Sequence, residues 1–421
     1  MRIKLANLRR QAVRADPRAG RIWRANPWLT SQKVCHPASN AENAGVSELS
    51  LIIQAEITAS GPMSFARFME LALYHPGLGY YETGRNRVGF QGDFYTSVST
   101  GELFGQLLAF RFARWLEALP VASAPLWLVE AGAHDGRLAQ DILTWLRVQR
   151  PELYARLHYG IVDPSRERQA WQREKLGEFA DRVRWFDRLA EVGDRTASPP
   201  HPAPPGIQGV IFSNELLDAL PVRRLGWDAS RQAWFEWGVS WEDHQFMWTK
   251  LASTPQNSLP VPALPAELLA VLPAGYTIEV SPAAEAWWRE AAGILQQGKL
   301  LAIDYGFTQE EMISPARTKG TLRGYHQHQY SDNVLAHPGE QDLTAHVNFS
   351  AIQATGESAG LQTDAYLTQP QFLTGILGEA VKDASFGEWT TRRTRQFQTL
   401  THPQHLGRSF KVLVQSRTGC P

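Results

Sequence analysis

Cysteine is nearly absent. Only Cys35 and Cys420 occur, close to opposite ends of the 421 residues, which excludes a disulfide framework and any cysteine-rich zinc site and fits a reducing compartment. Long apolar runs are also missing: none approaches the ~20 residues needed to span a bilayer, and no apolar stretch near the start leads into a small-residue cleavage site. The sequence therefore reads as neither inserted in a membrane nor secreted. Charge of one sign is lacking too, since Lys plus Arg and Asp plus Glu both total 42, so no general attraction to nucleic acid or anionic lipid is implied. Acids are scarce at the start: Asp16 alone precedes Glu42, against Arg2, Arg9, Arg10, Arg14, Arg18, Arg21 and Arg24. Such a composition suits both a mitochondrial transit peptide and a disordered bacterial extension. Residues 1–46 are set apart from the fold on this ground, and a mature start near Ala44 would favour import.

What is present is an alternation of short apolar runs with helical patterns. "LWLVEA" (126–131) leads at once into Gly132 and Gly136 and then a helical spacing through Leu138, Ile142, Leu143 and Leu146; strand, tight turn and helix follow in order. "YGIVD" (159–163), a helix from Pro164, "RVRWF" (182–186) and "GVIFSNE" (209–215) continue the series, and "YTIEV" (276–280), "KLLAIDYGF" (299–307) and "SFKVLVQS" (409–416) are read as its resumption. Buried strands separated by helices predict an α/β fold, a doubly wound and mostly parallel sheet. Two amphipathic helices with a break at Ser60-Gly61-Pro62 and an N-cap at Ser64 are expected ahead of a glycine-rich loop, and together they form an N-terminal helical cover over 47–125. The sheet domain then begins at 126 and runs to 221. Tryptophan-rich alternation after Val222 predicts an inserted β-rich subdomain over 222–275, with the remainder of the core in 276–421. "RTASPPHPAPPG" (195–206) is a stiff surface connection. Trp234, Trp237, Trp241 and Trp248 suit packing within the β-rich subdomain, or contact with a partner.

In an open parallel sheet, ligands bind beyond the carboxyl ends of the strands. Those positions carry Glu130, Gly132 and Gly136 after the first strand, Asp163 after the second, Asn214, Glu215 and Asp218 after the fourth, and Glu279, Asp304 and Tyr305 later. Glycines allow a sharp turn and close ligand approach, and an acid after the second strand can accept hydrogen bonds from both ribose hydroxyls. The dinucleotide fingerprint is missing, because His134 takes the place of its middle glycine and Asp135 would face a pyrophosphate. A cofactor without phosphates and with a sulfonium cation suits these carboxylates better. Glu215 and Asp218, three apart, could orient and deprotonate a guanidinium; equally, such a pair could cap a helix. His75, His326 and His346 show no metal spacing, so no metal is expected.

Several segments together resemble the MidA family of methyltransferases: "GPMSFARFMELALYHPGLGYY", "GDFYTS", "FGQLLA", "NELLDALPV", "EVSP", "LAIDYGF" and "PGEQDLTAHVNFSAI". The resemblance implies a class I methyltransferase-like, Rossmann-like sheet that uses S-adenosyl-L-methionine. It places Glu130, Gly132, Gly136 and Asp163 in the cofactor pocket with Gly92, Asp93 and Thr96, turns Asn214, Glu215 and Asp218 toward the acceptor, and puts Asp342, Thr344 and His346 by the substrate cleft. Since mitochondrial members of the family are complex I assembly factors that methylate a protein arginine, the implied partner is a protein with an exposed arginine, in the extreme case a respiratory complex I subunit; a homodimer is compatible. The chain departs from the family at His134, where a glycine is expected, and at Ser99, where an acid is expected. Two other readings stay open: a cofactor-binding assembly factor or scaffold with little or no catalysis, and a methyltransferase for a small molecule. The compartment expected is a bacterial cytoplasm, with the mitochondrial matrix as the alternative.

Overall fold

The computed structural model describes residues 47–83, 96–120, 125–192, 206–252, 259–262, 264–326, 329–383, 386–407 and 409–418. Helix α1 (Glu48–Ser60) starts on Ser47, whose hydroxyl accepts the Ser50 N–H, and stops at Gly61 with φ 82°. Helix α2 (Phe65–Tyr74) restarts on Ser64, which accepts from the Arg67 N–H. These are the side-chain caps that leave a helix start with no orphan donor at that position. A short helix α3 (Tyr80–Thr83) completes the described part of the cover, and α4 (Leu103–Glu117) leads into the sheet.

Among the described residues the central sheet has seven main strands: β1 (Leu126–Ala131), β2 (Leu157–Val162), β3 (Val183–Phe186), β4 (Ile207–Asn214), β5 (Leu295–Phe307), β6 (Gln362–Thr368) and β7 (Phe410–Arg417). Their spatial order is 3-2-1-4-5-7-6, with Val347–Asn348 as a short extra strand on β5. Neighbours are parallel from β3 through β5, and β7 is antiparallel to both β5 and β6. The doubly wound expectation holds, and the order reverses between β1 and β4, the kind of switch point at which such sheets bind ligands.

Strand parity divides the core. Leu126 and Leu128 face α4, α5 (Arg137–Gln149) and α9 (Gln369–Ala380) together with Phe212, Ile303 and Val412. Trp127, Val129 and Ala131 face the other way, onto α7 (Pro282–Ile294) and α8 (Phe349–Ser358), where Trp288 is fully buried. A strand covered on both faces must be apolar at every position, which is why "LWLVEA" shows no alternation. Helix α6 (Arg166–Lys175) follows β2, and α10 (Thr391–Thr401) precedes β7.

A second, antiparallel sheet contains Arg223–Asp228, Ala233–Glu242 and Gln245–Lys250, joined by Met63–Ser64 from the cover and by Thr277–Val280. The expectation that "YTIEV" resumes the central sheet is corrected here. Ile278 packs with Leu225, Trp227 and Tyr276 in a separate apolar cluster, while Glu279 stands opposite Arg224 and ion-pairs with it at 3.3 Å. Alternating contacts of this kind suit an antiparallel partner. A third sheet comprises Arg323–His326, Gln329–Ser331 and Asp342–Thr344. No helix among the described residues is long and apolar enough to cross a membrane.

Candidate active site

The loop from β1 to α5 turns through three positive φ values, at Gly132 (75°), His134 (46°) and Gly136 (84°). At Gly132 a Cβ would sit 2.9 Å from Leu216 Cδ1, so the glycine lets the turn after β4 close against the turn after β1. His134 keeps the left-handed backbone that a glycine would adopt, and its ring lies 6.1 Å from that of Trp171. Asp135 caps the Arg137 N–H at 3.1 Å and holds Lys175 at 2.5 Å. Burial works against its charge, but His134 and Lys175 win and hold the carboxyl well below the usual range.

Beyond β4, Glu215 also has a positive φ, 53°, and its N–H donates to the Ile303 carbonyl at 2.9 Å. A non-glycine residue there is sparsely populated and is a feature of functional turns. Asp304 holds this turn from below: its Oδ2 accepts from the N–H groups of Leu216 (3.1 Å) and Leu217 (2.8 Å), its Oδ1 from Tyr305 N–H (2.8 Å). Glu215 Oε1 accepts from Ser97 N–H (3.2 Å) and Asn214 Nδ2 (3.1 Å). Asn214 Oδ1 is buried with no partner among the described residues.

These turns enclose a cavity of about 200 Å³. The structure places Thr96, Glu130, Gly132, Asn214, Glu215, Asp218, Tyr305, Asp342 and Thr344 on its wall. Gly136 sits beside it at the start of α5, Asp304 lies beneath it, and His346 is behind it, stacked on Phe307 at 4.8 Å. Gly92 and Asp93 lie outside the described residues. Asp163 is not on the wall either. Its carboxylate accepts from Arg168 Nε (3.0 Å) and Nη2 (2.8 Å), Ser165 N–H (3.0 Å) and Gln172 Nε2 (2.9 Å), and it is the Arg168 side chain that reaches the cavity.

Sequence reasoning missed Arg168, Tyr74 and Tyr81. Tyr81 Oη donates to Asp342 Oδ1 at 2.7 Å, Tyr74 Oη donates to the Ala219 carbonyl at 2.9 Å, and the two rings lie 5.5 Å apart. Their sequence signal is the apolar spacing of the cover, which reads as packing and says nothing of a polar edge.

Burial dominates the acid–base character of the wall. It pushes Glu215 up to about 8, helped by the negative charges of Asp304 and Asp342 and opposed by the Asn214 and Ser97 hydrogen bonds. Asp218 is driven well upward by burial and by Asp304, Asp342 and Glu215. Glu130 rises to about 7, again through burial, although it accepts a 2.6 Å hydrogen bond from Tyr159 Oη. His346 is lowered to about 4 by burial and the nearby Arg323. Carboxyl groups whose proton affinity is raised in a cleft ionise when a cation enters, and the carboxylates so formed can then accept a proton.

A family described as S-adenosyl-L-methionine-dependent methyltransferase matches residues 107–367. The chain belongs to this MidA-like family. A Burkholderia thailandensis protein of known structure, crystallised with S-adenosyl-homocysteine, is 35% identical and superposes with a TM-score of 0.72, covering 88% of this chain and 92% of that one. The mitochondrial protein arginine methyltransferase NDUFAF7 homolog of Drosophila melanogaster is 26% identical over 92% of this chain and 89% of its own length. Its Homo sapiens counterpart is 28% identical over 81% and 75%. The chain is a class I methyltransferase-like fold, and S-adenosyl-L-methionine is its cofactor.

The residues on the wall fit that cofactor. The Gly132 turn puts backbone on the wall with Leu216 packed against it, and the wall carries Glu130, Asp135, Glu215, Asp218 and Asp342 beside Arg137 and Arg168 rather than a phosphate cradle, a set that suits a cofactor with both a sulfonium cation and a carboxylate.

Proposed function

We propose that this methyltransferase modifies an arginine of a protein substrate, methylating a guanidinium nitrogen. The observation that carries the reading is the pair Glu215 and Asp218: two carboxyls on the wall of one cavity, Asp218 buried and Glu215 partly so, each with its proton affinity raised by desolvation and by neighbouring acids. When bound, S-adenosyl-L-methionine supplies an electrophilic methyl group. The chain's own residues do the rest. Glu130 and the Gly132–Gly136 turn hold the cofactor, with Thr96 and, from outside the described residues, Gly92 and Asp93; Asp163 acts through Arg168. Glu215, Asp218 and Asn214 receive the guanidinium, while Tyr305, Asp342 and Thr344 shape the cleft around it. Entry of a cation favours ionisation of both carboxyls, which then orient the nitrogen and take its proton.

The names of the NDUFAF7 relatives support arginine as the acceptor, and a respiratory complex I subunit is the substrate this reading favours. Mitochondrial relatives and a bacterial one are both at hand, and N-terminal sequencing of the native protein separates the matrix from the bacterial cytoplasm. The reading is tested by transferring radioactive methyl groups to proteins of a cell extract, followed by acid hydrolysis and amino-acid analysis. Label in methylarginine, lost in Glu215→Gln, supports it; label in another amino acid or only in small molecules overturns it.

A further inference from the structure

Next to the reaction cavity, and sharing Ser99 and Arg137 with its wall, lies a surface basin of about 560 Å³. Arg392 and Arg395 on the first turns of α10 close its far side, and all three arginines are exposed. Among the described residues, none of the three guanidinium groups is hydrogen-bonded or ion-paired. Some surface arginines have carboxylate partners, as Arg67 has with Glu56 and Arg147 with Glu178, and others, such as Arg114 and Arg156, have none among the described residues; what sets Arg137, Arg392 and Arg395 apart is that they share one concavity. Three unpaired guanidinium groups around one concavity cost repulsion that a bound anion would relieve. The start of α10 adds the positive end of a helix to the same basin.

We infer that this basin is a docking site for acidic side chains flanking the target arginine of the protein substrate. The inference rests on the arginine-methylation reading and extends it to the substrate's sequence. The two depressions present different groups: the cavity wall has the carboxyls of Glu215, Asp218 and Asp342, which ionise when a cation enters, whereas the basin has Arg392 and Arg395, with Arg137 shared between the two. A segment with one arginine and neighbouring glutamates or aspartates satisfies both at once, while an arginine flanked by basic residues meets repulsion at the basin. Charge pairing of this sort sets specificity more than bulk affinity.

The test uses two fluorescent peptides of equal length with a central arginine, one flanked by glutamates and the other by glutamines. Their binding to the whole protein saturated with S-adenosyl-homocysteine is measured by anisotropy, and their methylation is followed with labelled cofactor. Two exposed ion pairs predict that the glutamate peptide binds about fivefold tighter at ~0.05 M salt. The advantage should vanish at ~0.5 M salt and in the Arg392→Gln/Arg395→Gln variant, whose helix surface tolerates glutamine. Equal binding of the two peptides, or a preference that survives in the variant, overturns the inference. So does a variant that loses affinity for S-adenosyl-homocysteine but keeps the peptide preference, since the basin would then serve the cofactor's carboxylate. If the preference is found and abolished as expected but neither peptide is methylated on arginine, the acidic-segment site stands and the arginine-methylation reading falls.

Discussion

Arg168 holds Asp163 through two of its nitrogens, Nε at 3.0 Å and Nη2 at 2.8 Å, and with its remaining nitrogen reaches Glu82 at 3.0 Å. One guanidinium thus ties the end of β2 to helix α3 of the N-terminal cover. Both side chains of the first pair are almost fully buried, 9% and 1% exposed. Removing one partner from such a pair leaves an uncompensated charge, typically at a cost of about 3–5 kcal/mol.

Asp163→Ala is therefore expected to lower thermal stability and weaken S-adenosyl-homocysteine binding even though the carboxylate does not reach the cavity. Scanning calorimetry and titration calorimetry measure the two effects. The Asp163→Ala/Arg168→Ala double variant should lose less stability than the sum of the single variants. Strict additivity would show that the pair does not act as a unit.

Glu215→Gln should reduce kcat by about 10²–10⁴-fold, the usual contribution of a positioned base, and change cofactor affinity by less than about threefold. In the wild type kcat/KM should rise with pH as Glu215, pushed up to about 8 in the free enzyme, loses its proton. A steady-state pH profile checks both points. A profile already flat at pH 6 would place the base elsewhere.

Stability should move in the opposite direction. Glu215, Glu130 and Asp304 have ordinary values of 4.5, 4.5 and 3.8 but are raised to about 8, 7 and 7 in the fold. Between those limits the native state binds more protons than the unfolded chain, so these groups contribute stability that is complete below pH ~4 and lost as pH climbs to about 8. The ligand-free protein should melt on the order of 5 °C lower at pH 8 than at pH 5.5. A melting temperature that rises over that range would contradict the assigned shifts.

His134→Gly should fold with stability within about 1 kcal/mol of wild type and keep its cofactor affinity, because glycine adopts the 46° φ freely and the losses are the ring's contact with Trp171 and its 3.9 Å approach to Asp135, which Lys175 still holds. His134→Val should lose about 2 kcal/mol in urea unfolding, since a β-branched residue resists that backbone. Equal behaviour of the two variants would mean that the turn relaxes.

The central strands were legible because a strand covered on both faces is apolar throughout, and Ser64 declared its helix through the cap. "YTIEV" misled because five residues, four of which form the strand, are too few for alternation to distinguish a buried parallel strand from a half-buried antiparallel one. Asp163 was legible as a polar residue at the ligand edge, but not as one already held by a side chain five positions later. Asp304 looked like a cleft residue and instead binds backbone N–H groups, a partnership that leaves no mark in composition. Tyr74 and Tyr81 line the cavity and are held there by hydrogen bonds to Ala219 and Asp342, and pairing over such distances in the chain has no local signature.

The pairing of Met63 with Val239 and Ser64 with Gly238 sets a timetable for synthesis. The segment made first cannot dock until the strand it pairs with has left the ribosome. At ~5–20 residues per second, that delay is on the order of ten seconds or more. During it, the apolar face of α2, with Phe65, Phe68 and Met69, stays exposed on the nascent chain, a natural target for chaperones that recognise unfinished proteins.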